Sequence, residues 1–301
     1  MLSARDVEAY RRQGFLVIPD VVSPAEIAEL RRVTDEFLAR SRAVTGHTEM
    51  FDLEDGHSPA SPRLRRLISP HRWHPVYEAM VRHPRIVEVL KALWGPNVRF
   101  DQSKLNMKSA GYGSPIEWHQ DWAFYPHTND DLAAVGIMID DVDEDNGPML
   151  LVPGSHTGPV YDHHANGRFC GAIDAAATGL DVAGAVPCLG KAGTITVHHV
   201  RMVHGSATNR SNRQRRFLLH QYRAADAWPL TRAPQDFAAW TSLLVSGEET
   251  LAPRLAPVPV RLPLPPATNQ GSIYENQREL GSRYFAGSDA AASAAPARTS
   301  V

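Results

Sequence analysis

Residues 97–110 read NVRFDQSKLNMKSA, and apolar and polar side chains alternate along much of this run. Such alternation is typical of a β-strand with one buried face. Four similar short runs follow, with Gly, Pro, Asn or Asp between them: LAAVGIMIDDV (132–142), PMLLVPGS (148–155), GTITVHHV (193–200) and RRFLLHQYRA (215–224). This pattern predicts an antiparallel sandwich or barrel from about residue 97 onward.

The first 96 residues predict mainly helices around that sheet. Ser23 and Glu26 match the spacing of a capping box, and apolar residues recur at helical spacing from Ile27 to Phe37. Two further elements are predicted in this part, a helix in HPRIVEVLKALWGPN (83–97) and a short buried strand in GFLVIPDVV (14–22).

The rest of the chain predicts less regular structure. The segment 46–73 is rich in Asp, Ser, Pro and Arg, which predicts a loop that could cover a site. Small and polar residues dominate 286–301 and predict a disordered tail. We predict one domain over residues 1–285 in three parts: mainly helical support (1–96), a β core (97–230) and a C-terminal extension (231–285).

The composition excludes several classes of protein. The 301 residues are 43% hydrophobic, enough for a sizeable core, and the net charge is -2. No basic stripe predicts nucleic-acid binding, no polybasic or long apolar run predicts a membrane, and no secretory stretch begins the sequence. With Cys170 and Cys188 as its two cysteines, the sequence predicts a reduced cytoplasmic protein. Nothing in it predicts an oligomeric state.

The motif EWHQDWAFYPH (117–127) places His119 and Asp121 two residues apart. Residues i and i+2 of a strand lie on the same face, so this spacing aims an imidazole and a carboxylate at one point. They are two of the three ligands of a 2-His-1-carboxylate site, which binds Fe(II) and leaves coordination positions open. For this motif alone, a satisfied polar pair at a strand end is the alternative.

A third ligand is expected from a distant strand. The segment 197–222 offers four histidines: His198, His199, His204 and His220. His204 is the best candidate because Gly205 and Ser206 follow it. The glycine permits a close backbone approach, and the serine supplies a small hydroxyl near the site.

Arg215 lies eleven residues after His204, at the start of the next predicted strand. The intervening turn could bring its guanidinium beside the metal. A buried arginine needs a carboxylate partner, and a dicarboxylate cosubstrate would supply one. The alternative is a surface charge in an arginine-rich hairpin, which is the better interpretation of Arg210, Arg213 and Arg216.

The strand periodicity makes the Arg215 hypothesis specific. Adjacent strand residues point to opposite faces. If Arg215 faces the metal, Phe217 and Leu219 continue its row, and Arg216 points away.

Five features together resemble the phytanoyl-CoA dioxygenase family. These are iron- and 2-oxoglutarate-dependent oxygenases that include phytanoyl-CoA and ectoine hydroxylases. The features follow the family's order: QSKLNMK (102–108), WHQD (118–121), NGPMLLVPGSH (146–156), GKAGTITVHHVRMVHGSATN (190–209) and Arg215. The N-terminal YRRQGFLVIPDVVS (10–23) also fits.

The resemblance implies a mainly β fold, a cupin-like double-stranded β-helix or jelly roll, wrapped by N-terminal helices. It implies that His119, Asp121 and His204 bind Fe(II). It also implies a 2-oxoglutarate site made by Arg215, Ser206, Asn106, Gln102 and Lys104. Gln102 and Lys104 could instead touch the substrate.

Gln120, Trp122 and Tyr125 are predicted to line the substrate pocket. The aromatic residues of this motif are either core or pocket wall, and their place beside two ligands favours the wall for at least one of Trp122 and Tyr125. His156 is predicted to be structural, with contact to the substrate as the alternative. His163, His164, His198 and His199 are predicted to be polar groups of loops and strands, with a second metal site as the alternative.

The resemblance also implies the reaction. With Fe(II), 2-oxoglutarate and O2, the chain is expected to hydroxylate an unactivated C–H bond of a small metabolite and to release succinate and CO2. A carboxylate at Asp121 favours oxygen transfer over halogenation. Two alternatives are a non-catalytic jelly-roll binding protein and a family oxygenase that performs desaturation, cyclisation or epoxidation.

Overall fold

A computed structural model describes residues 2–231, 234–267 and 272–285. The described residues form these α-helices: α1 (Ala4–Gln13), α2 (Pro24–Arg40), α3 (Pro75–Val81), α4 (Pro84–Trp94), α5 (Ala175–Thr178), α6 (Phe237–Ser242) and α7 (Ile273–Asn276). They also form these strands: β1 (Phe15–Ile18), β2 (Phe51–Leu53), β3 (Leu64–Ile68), β4 (Val98–Lys108), β5 (Ile116–His119), β6 (Leu132–Met138), β7 (Met149–Leu151), β8 (His164–Ala165), β9 (Arg168–Phe169), β10 (Val186–Pro187), β11 (Ile195–His199), β12 (His204–Ser206), β13 (Arg215–Ala224) and β14 (Leu244–Ser246). The predicted tail, 286–301, lies outside the described residues.

Two antiparallel sheets form the β core. The larger has the order β1-β11-β6-β13-β4-β3-β2, with β14 also paired to β4, and the smaller has the order β10-β7-β12-β5. The sheets do not close into a barrel. The predicted jelly roll and the five predicted strands are confirmed. Strands from all three predicted parts of the chain pair within the larger sheet, whereas the domain bounds stay a prediction.

The predicted helix α2 forms as its capping pattern requires. The Ser23 hydroxyl accepts from the Glu26 amide, and the Glu26 carboxylate accepts from the Ser23 amide at 2.8 Å. The apolar residues at helical spacing, Ile27 and Leu30 among them, are buried in the main hydrophobic core. The helix therefore covers the larger sheet, as N-terminal support should.

The segment 46–73 is not simply a loop. It contains β2 and β3, which extend the larger sheet beyond β4, with Arg66 opposite Asn106 and Ile68 opposite Lys104. The prediction missed them because this hairpin buries charged residues. Asp52 lies in β2 and is 3% exposed, and Arg65 in β3 is 0% exposed. Buried ion pairs hide the apolar pattern that marks a strand.

The register of β13 shows where the predicted row of Arg215, Phe217 and Leu219 lies. Arg215 pairs with Lys108 across to β4, and Phe217 pairs with Asn106. On the other side of β13, β6 contributes Gly136, and a Cβ atom there would overlap the Phe217 ring at 2.1 Å. The glycine therefore lets Phe217 lie flat against β6 on the inner face of the sheet.

Arg216 points to the opposite face, as predicted, but it is not a surface charge. Its side chain is 5% exposed. It donates to the Asp140 carboxylate at 2.8 and 2.7 Å and to Asp35 on α2 at 2.8 Å. This ion-pair network joins α2 to the back of the larger sheet, so the surface interpretation was wrong for Arg216.

We expect Arg216→Ala to lower the free energy of unfolding by about 3 kcal/mol, because removing one partner of a buried ion pair leaves an uncompensated charge. Arg213→Ala is the matched control. Its side chain is 54% exposed beside Asp143, so its loss should change stability by less than about 1 kcal/mol. Urea denaturation of both variants measures the difference, and equal midpoints would contradict the expectation.

The remaining sequence expectations concern the two cysteines and the absence of a membrane-spanning run. Cys170 and Cys188 are buried and unpaired. Among the residues that the structure describes, no helix is both long enough and apolar enough to cross a membrane.

Candidate metal and cosubstrate site

Three predicted ligands meet where β5 and β12 pair. His119 is the last residue of β5 and lies opposite His204, the first residue of β12. Asp121 does not continue the strand as predicted but opens a 3-10 turn, Asp121–Ala123. Because Gln120 is still extended, at φ -119° and ψ 128°, the i, i+2 relation of His119 and Asp121 is kept.

A single metal ion could contact all three side chains. One ligand atom from each of His119, Asp121 and His204 lies within 4.8 Å of the others, and His119 Nε2 is 4.0 Å from Asp121 Oδ1. Both histidines are oriented in the same way. Nδ1–H of His119 donates to the Glu117 carbonyl at 2.8 Å, and Nδ1–H of His204 donates to the Met202 carbonyl at 2.9 Å. Each Nε2 is left with a lone pair, as metal ligation requires.

The electrostatics of the cluster favour the protonation states of metal ligands. Burial lowers the pKa of His119 to about 4 and holds that of His204 well below its usual value. Burial opposes ionisation of Asp121, but the Lys104 ammonium and the His198 ring outweigh it and lower the Asp121 pKa well below normal. The cluster is therefore two neutral imidazoles and one carboxylate at neutral pH.

The other candidate histidines lie outside this group. His198 lines the same cavity, with its Nε2 3.8 Å from Asp121 Oδ2. His199 faces away and accepts from the Arg201 amide at 3.1 Å. His220 lies on the outer face of β13 and contacts the Tyr222 hydroxyl at 3.2 Å.

The backbone at Gly205 is as crowded as the sequence suggests. A Cβ atom there would lie 2.9 Å from the Ile116 carbonyl oxygen and 2.7 Å from the Phe285 ring. Glycine lets β12 approach β5 closely between His204 and Ser206. This confirms the predicted need for a small residue at this position.

Arg215 lies in the same cavity as the three ligands and is 3% exposed. Its guanidinium donates to the Gly147 carbonyl from Nε at 3.2 Å and from one terminal nitrogen at 2.5 Å. Among the described residues, no carboxylate forms an ion pair with it. Burial lowers its pKa to about 10, which still leaves the group charged at neutral pH. Phe217 and Leu219 line the cavity beside it, so the predicted row is confirmed.

Polar atoms without partners surround this end of the cavity. Among the described residues, neither Asn106 Oδ1 nor Ser206 Oγ has a hydrogen-bond partner, although both atoms are buried. Both side chains line the cavity with Arg215. Buried polar groups are rarely left unpaired. The Ser206 hydroxyl can donate to a carboxylate of a ligand such as 2-oxoglutarate, and Asn106 can do so only through its amide nitrogen.

The structure places Lys104 in the cavity wall and Gln102 outside it. Lys104 lines the cavity, and burial lowers the pKa of its ammonium. Gln102 does not line it, because its amide donates to the Gln221 side chain. Gln221 in turn donates to Asp121 Oδ2 at 3.3 Å. Gln102 was predicted to contact the cosubstrate or the substrate. In the structure it is connected instead, through Gln221, to the carboxylate of the predicted ligand Asp121.

The predicted pocket residues are not part of the cavity wall. The Gln120 amide is fully used, since it donates to the Pro159 and Arg201 carbonyls and accepts from the Tyr161 amide. Trp122 is 1% exposed in a separate apolar cluster that Tyr125 joins. Gln120 is extended and points to the face opposite His119 and Asp121, and Trp122 lies in the 3-10 turn that follows. Gln120, Trp122 and Tyr125 therefore do not line this cavity, and their predicted contact with the substrate stays a prediction.

The sequence interpretation missed six cavity residues: Arg66, Lys108, Ile116, Met149, Ile273 and Tyr274. Arg66 comes from the hairpin that was predicted as a loop. Lys108 continues the Lys104 and Asn106 face of β4, so the strand period could have indicated it. Ile273 and Tyr274 come from the C-terminal extension, where no sequence signal points to the site.

A second group of possible ligands consists of His47, Asp52 and Glu275. Its charges are already compensated, because Arg66 lies 3.2 Å from Asp52 and Arg65 pairs with Glu275. The His47 Nδ1 also accepts from the Leu53 amide at 3.1 Å. This group is an ion-pair network rather than a site that favours a cation.

His156 was expected to be structural. In the structure its Nε2–H donates to the Arg11 carbonyl at 3.0 Å.

A jelly roll that joins two neutral histidines, a carboxylate and a buried arginine in one cavity defines a class of protein, the iron- and 2-oxoglutarate-dependent dioxygenases. The chain belongs to the phytanoyl-CoA dioxygenase family, whose model matches residues 10–217. It is a dioxygenase that uses Fe(II), 2-oxoglutarate and O2, which makes the non-catalytic alternative unnecessary.

Individual relatives agree with this assignment. The chain is 38% identical over 286 residues to a probable alpha-ketoglutarate-dependent hypophosphite dioxygenase of Stutzerimonas stutzeri, over 94% of this chain and 99% of the relative. It is 30% identical over 233 residues to an L-proline trans-4-hydroxylase of Streptomyces griseoviridis, over 71% of this chain and 83% of that protein. Among solved structures, the non-heme alpha-ketoglutarate-dependent carbocyclase SnoK from nogalamycin biosynthesis matches with a TM-score of 0.62 at 26% identity, over 83% of this chain and 93% of that one.

Proposed function

We propose that this dioxygenase oxidises a P–H bond of a small phosphorus oxyanion of the hypophosphite type. In this proposal His119, Asp121 and His204 hold Fe(II), and Arg215, Ser206 and Asn106 receive 2-oxoglutarate. Lys104 binds the anionic substrate. The observation that carries the proposal is the Lys104 ammonium, which faces the cavity.

The roles of the chain's own residues follow from their contacts. The Nε2 lone pairs of His119 and His204 and the Asp121 carboxylate form one face of ligands, held in place by the carbonyls behind the rings. The Arg215 guanidinium would pair with the distal carboxylate of 2-oxoglutarate, and the Ser206 hydroxyl could donate to it. When bound, iron and 2-oxoglutarate supply an oxidant made from O2. Apolar neighbours such as Phe217 and Leu219 exclude water from that oxidant.

The charge balance supports an anionic substrate. The charges of Fe(II) and Arg215 together offset those of Asp121 and of the two carboxylates of 2-oxoglutarate. Of the other cavity cations, Arg66 lies 3.2 Å from Asp52, and Lys108 donates to the Ser206 carbonyl at 3.4 Å. Among the described residues, no hydrogen bond or ion pair holds the Lys104 ammonium. An ammonium without a partner in a cavity wall favours a ligand of opposite charge, and its single charge suits a monoanion.

The hypophosphite ion is such a monoanion, and the relative at 38% identity is named for its oxidation. The reaction balances without a further reductant. Hypophosphite, 2-oxoglutarate and O2 give hydrogen phosphite, succinate and CO2. One oxygen atom of O2 enters the P–H bond, and the other enters succinate.

Hydroxylation of an unactivated C–H bond, the expectation from the sequence, is the second candidate. The identity to an L-proline trans-4-hydroxylase favours it, since proline also carries an anionic carboxylate that Lys104 could bind. The carbocyclase likeness supports the further alternative of an oxidative ring closure within the same class of reaction.

Phosphorus NMR tests the proposal directly. The protein is loaded with Fe(II) and 2-oxoglutarate without oxygen, and O2 is then added with hypophosphite, with L-proline or with neither. We expect the hypophosphite signal to convert to phosphite with an equal amount of succinate. Succinate formation that L-proline stimulates and hypophosphite does not would reject the P–H substrate in favour of the second candidate.

Replacement of Lys104 tests the substrate contact. A hydrogen bond to a charged group contributes about 1.5–3 kcal/mol, so Lys104→Ala should raise the KM for hypophosphite about tenfold or more. The KM for 2-oxoglutarate should change less than threefold or so, since Arg215 carries that contact. Lys191→Ala, at an 85% exposed lysine, is the control. A larger effect on 2-oxoglutarate than on hypophosphite would assign Lys104 to the cosubstrate.

A further inference from the structure

The C-terminal segment Ser272–Phe285 reaches the cavity from outside the part of the chain that matches the family, residues 10–217. Its helix α7 places Ile273 and Tyr274 in the cavity wall, in the same space as the ligands and Arg215. Tyr274 is 5% exposed. This segment therefore completes the site, although the match to the family model ends at residue 217.

The segment is fixed to the ligand strand β5. The Gln277 side chain accepts from the Glu117 amide at 2.9 Å and donates to the Gly171 carbonyl at 2.8 Å. The Phe285 amide donates to Glu117 Oε2 at 3.1 Å, and its ring packs on Trp118 at 5.1 Å between centroids. Glu117 and Trp118 directly precede the ligand His119, so the position of the segment is coupled to that of β5.

Tyr274 is held from the other side by the β2–β3 hairpin. The Arg65 guanidinium stacks on its ring, 4.9 Å from the centroid, and the same guanidinium pairs with Glu275. Glu275 also caps α7 by accepting from the Ser272 amide at 3.2 Å. The ring is therefore packed rigidly rather than free to turn away.

Tyr274 also lines a second space. A polar surface groove is bounded by Asp55, Glu117, Gln277 and Arg278 among others. Of the residues that the structure describes, Tyr274 alone lines both this groove and the inner cavity. The Tyr274 side chain thus lies where the cavity and this groove meet, and we expect removal of its ring to join the two spaces.

We propose that Tyr274 is a specificity-determining residue, whose ring limits the size of the substituent that a substrate can carry. This inference rests on the proposed function for its substrate class, small phosphorus oxyanions with a P–H bond. With the ring in place, the cavity admits hypophosphite and excludes an anion whose second P–H hydrogen is replaced by a large group. The hydroxyl is not required for this exclusion.

Phenylphosphinate is the probe, because it is a monoanion with one P–H bond and a phenyl group. A pocket discriminates by about 10- to 200-fold for a single misfitted methylene, so Tyr274→Ala should raise the kcat/KM ratio of phenylphosphinate to hypophosphite at least about tenfold. Tyr274→Leu should raise it too and keeps apolar packing under Arg65 should the alanine variant fold poorly. Tyr274→Phe should keep the wild-type ratio.

Tyr284→Ala is the matched control, since Tyr284 is in the same segment, is 47% exposed and lines neither space. It should leave the ratio within about twofold of wild type, as expected for a surface substitution. A second readout needs no turnover: calorimetric binding of phenylphosphinate to the anaerobic complex with Fe(II) and 2-oxoglutarate should tighten in the alanine and leucine variants alone.

The outcomes separate the two proposals. If wild type does not oxidise hypophosphite but both variants gain phenylphosphinate binding, the substrate is wrong and the role of Tyr274 stands. If wild type oxidises hypophosphite while the variants change neither the ratio nor the binding, the role of Tyr274 is overturned and the function stands. A gain in Tyr274→Phe equal to that in Tyr274→Ala would also overturn it, since the ring would then not be the barrier.

Discussion

His204→Ala should lose at least about a hundredfold in both Fe(II) affinity and 2-oxoglutarate turnover. Loss of a group that merely orients a metal ligand typically costs about 10- to 100-fold, and His204 is proposed as a ligand itself. Its Nε2 lone pair faces the cavity because Nδ1–H is held by the Met202 carbonyl. Iron content after desalting, together with succinate formation, measures the effect.

His47→Ala is the control that makes this experiment specific. His47 belongs to the second group of possible ligands, with Asp52 and Glu275, but its side chain is 55% exposed. The variant should retain iron and turnover at the wild-type level. If His47→Ala lost iron and His204→Ala kept it, the metal would bind at the ion-pair network, and the assignment of the cavity would be wrong.

Backbone periodicity accounts for what the sequence predicted well. The relation between positions i and i+2 brought His119 and Asp121 together even though the strand ends at His119. The same period correctly put Arg215 and Phe217 on the inner face and Arg216 on the outer one. Such predictions need only local geometry, because alternation is set by the pleat of the strand.

Position next to a ligand in the sequence was a poor guide to the pocket. Gln120 and Trp122 flank Asp121, yet neither lines the cavity. Gln120 is still extended and points to the face opposite His119 and Asp121, whereas Trp122 lies in the 3-10 turn that starts at Asp121. A turn has no fixed two-residue period, so strand-based reasoning fails there. The burial of Arg216 was missed for a related reason, since its carboxylate partners Asp35 and Asp140 are distant in the sequence.

The residues that close the cavity depend on long-range packing. Arg66 reaches it because β3 pairs with β4, and Tyr274 because α7 is held by Arg65 and by Gln277. Neither stretch has an apolar period that predicts its element. The centre of the site could thus be predicted from local pattern and family motifs, whereas its outer wall could not.

Arg215→Ala should weaken 2-oxoglutarate binding by about thirtyfold or more. Removal of one member of a desolvated charge pair costs roughly 2–5 kcal/mol, and each 1.4 kcal/mol is about a factor of ten in affinity. The structure supports a loss of this size, because Arg215 is 3% exposed and its hydrogen-bond acceptor among the described residues is the neutral Gly147 carbonyl. The positive charge is therefore available for the distal carboxylate of the cosubstrate.

The comparison of three variants separates charge from geometry. Calorimetric titration of 2-oxoglutarate into anaerobic Fe(II)-loaded protein gives the affinity without turnover. Arg215→Lys should recover part of the loss, since a point charge cannot form the two parallel hydrogen bonds of a guanidinium. Arg213→Ala, at a 54% exposed arginine two residues away, should change the affinity less than about threefold. Arg216 is unsuitable as a control because its buried ion pairs stabilise the fold. If Arg215→Ala bound 2-oxoglutarate as tightly as Arg213→Ala, the cosubstrate would have to be held elsewhere, and the unpaired ammonium of Lys104 would be the next candidate for its distal carboxylate.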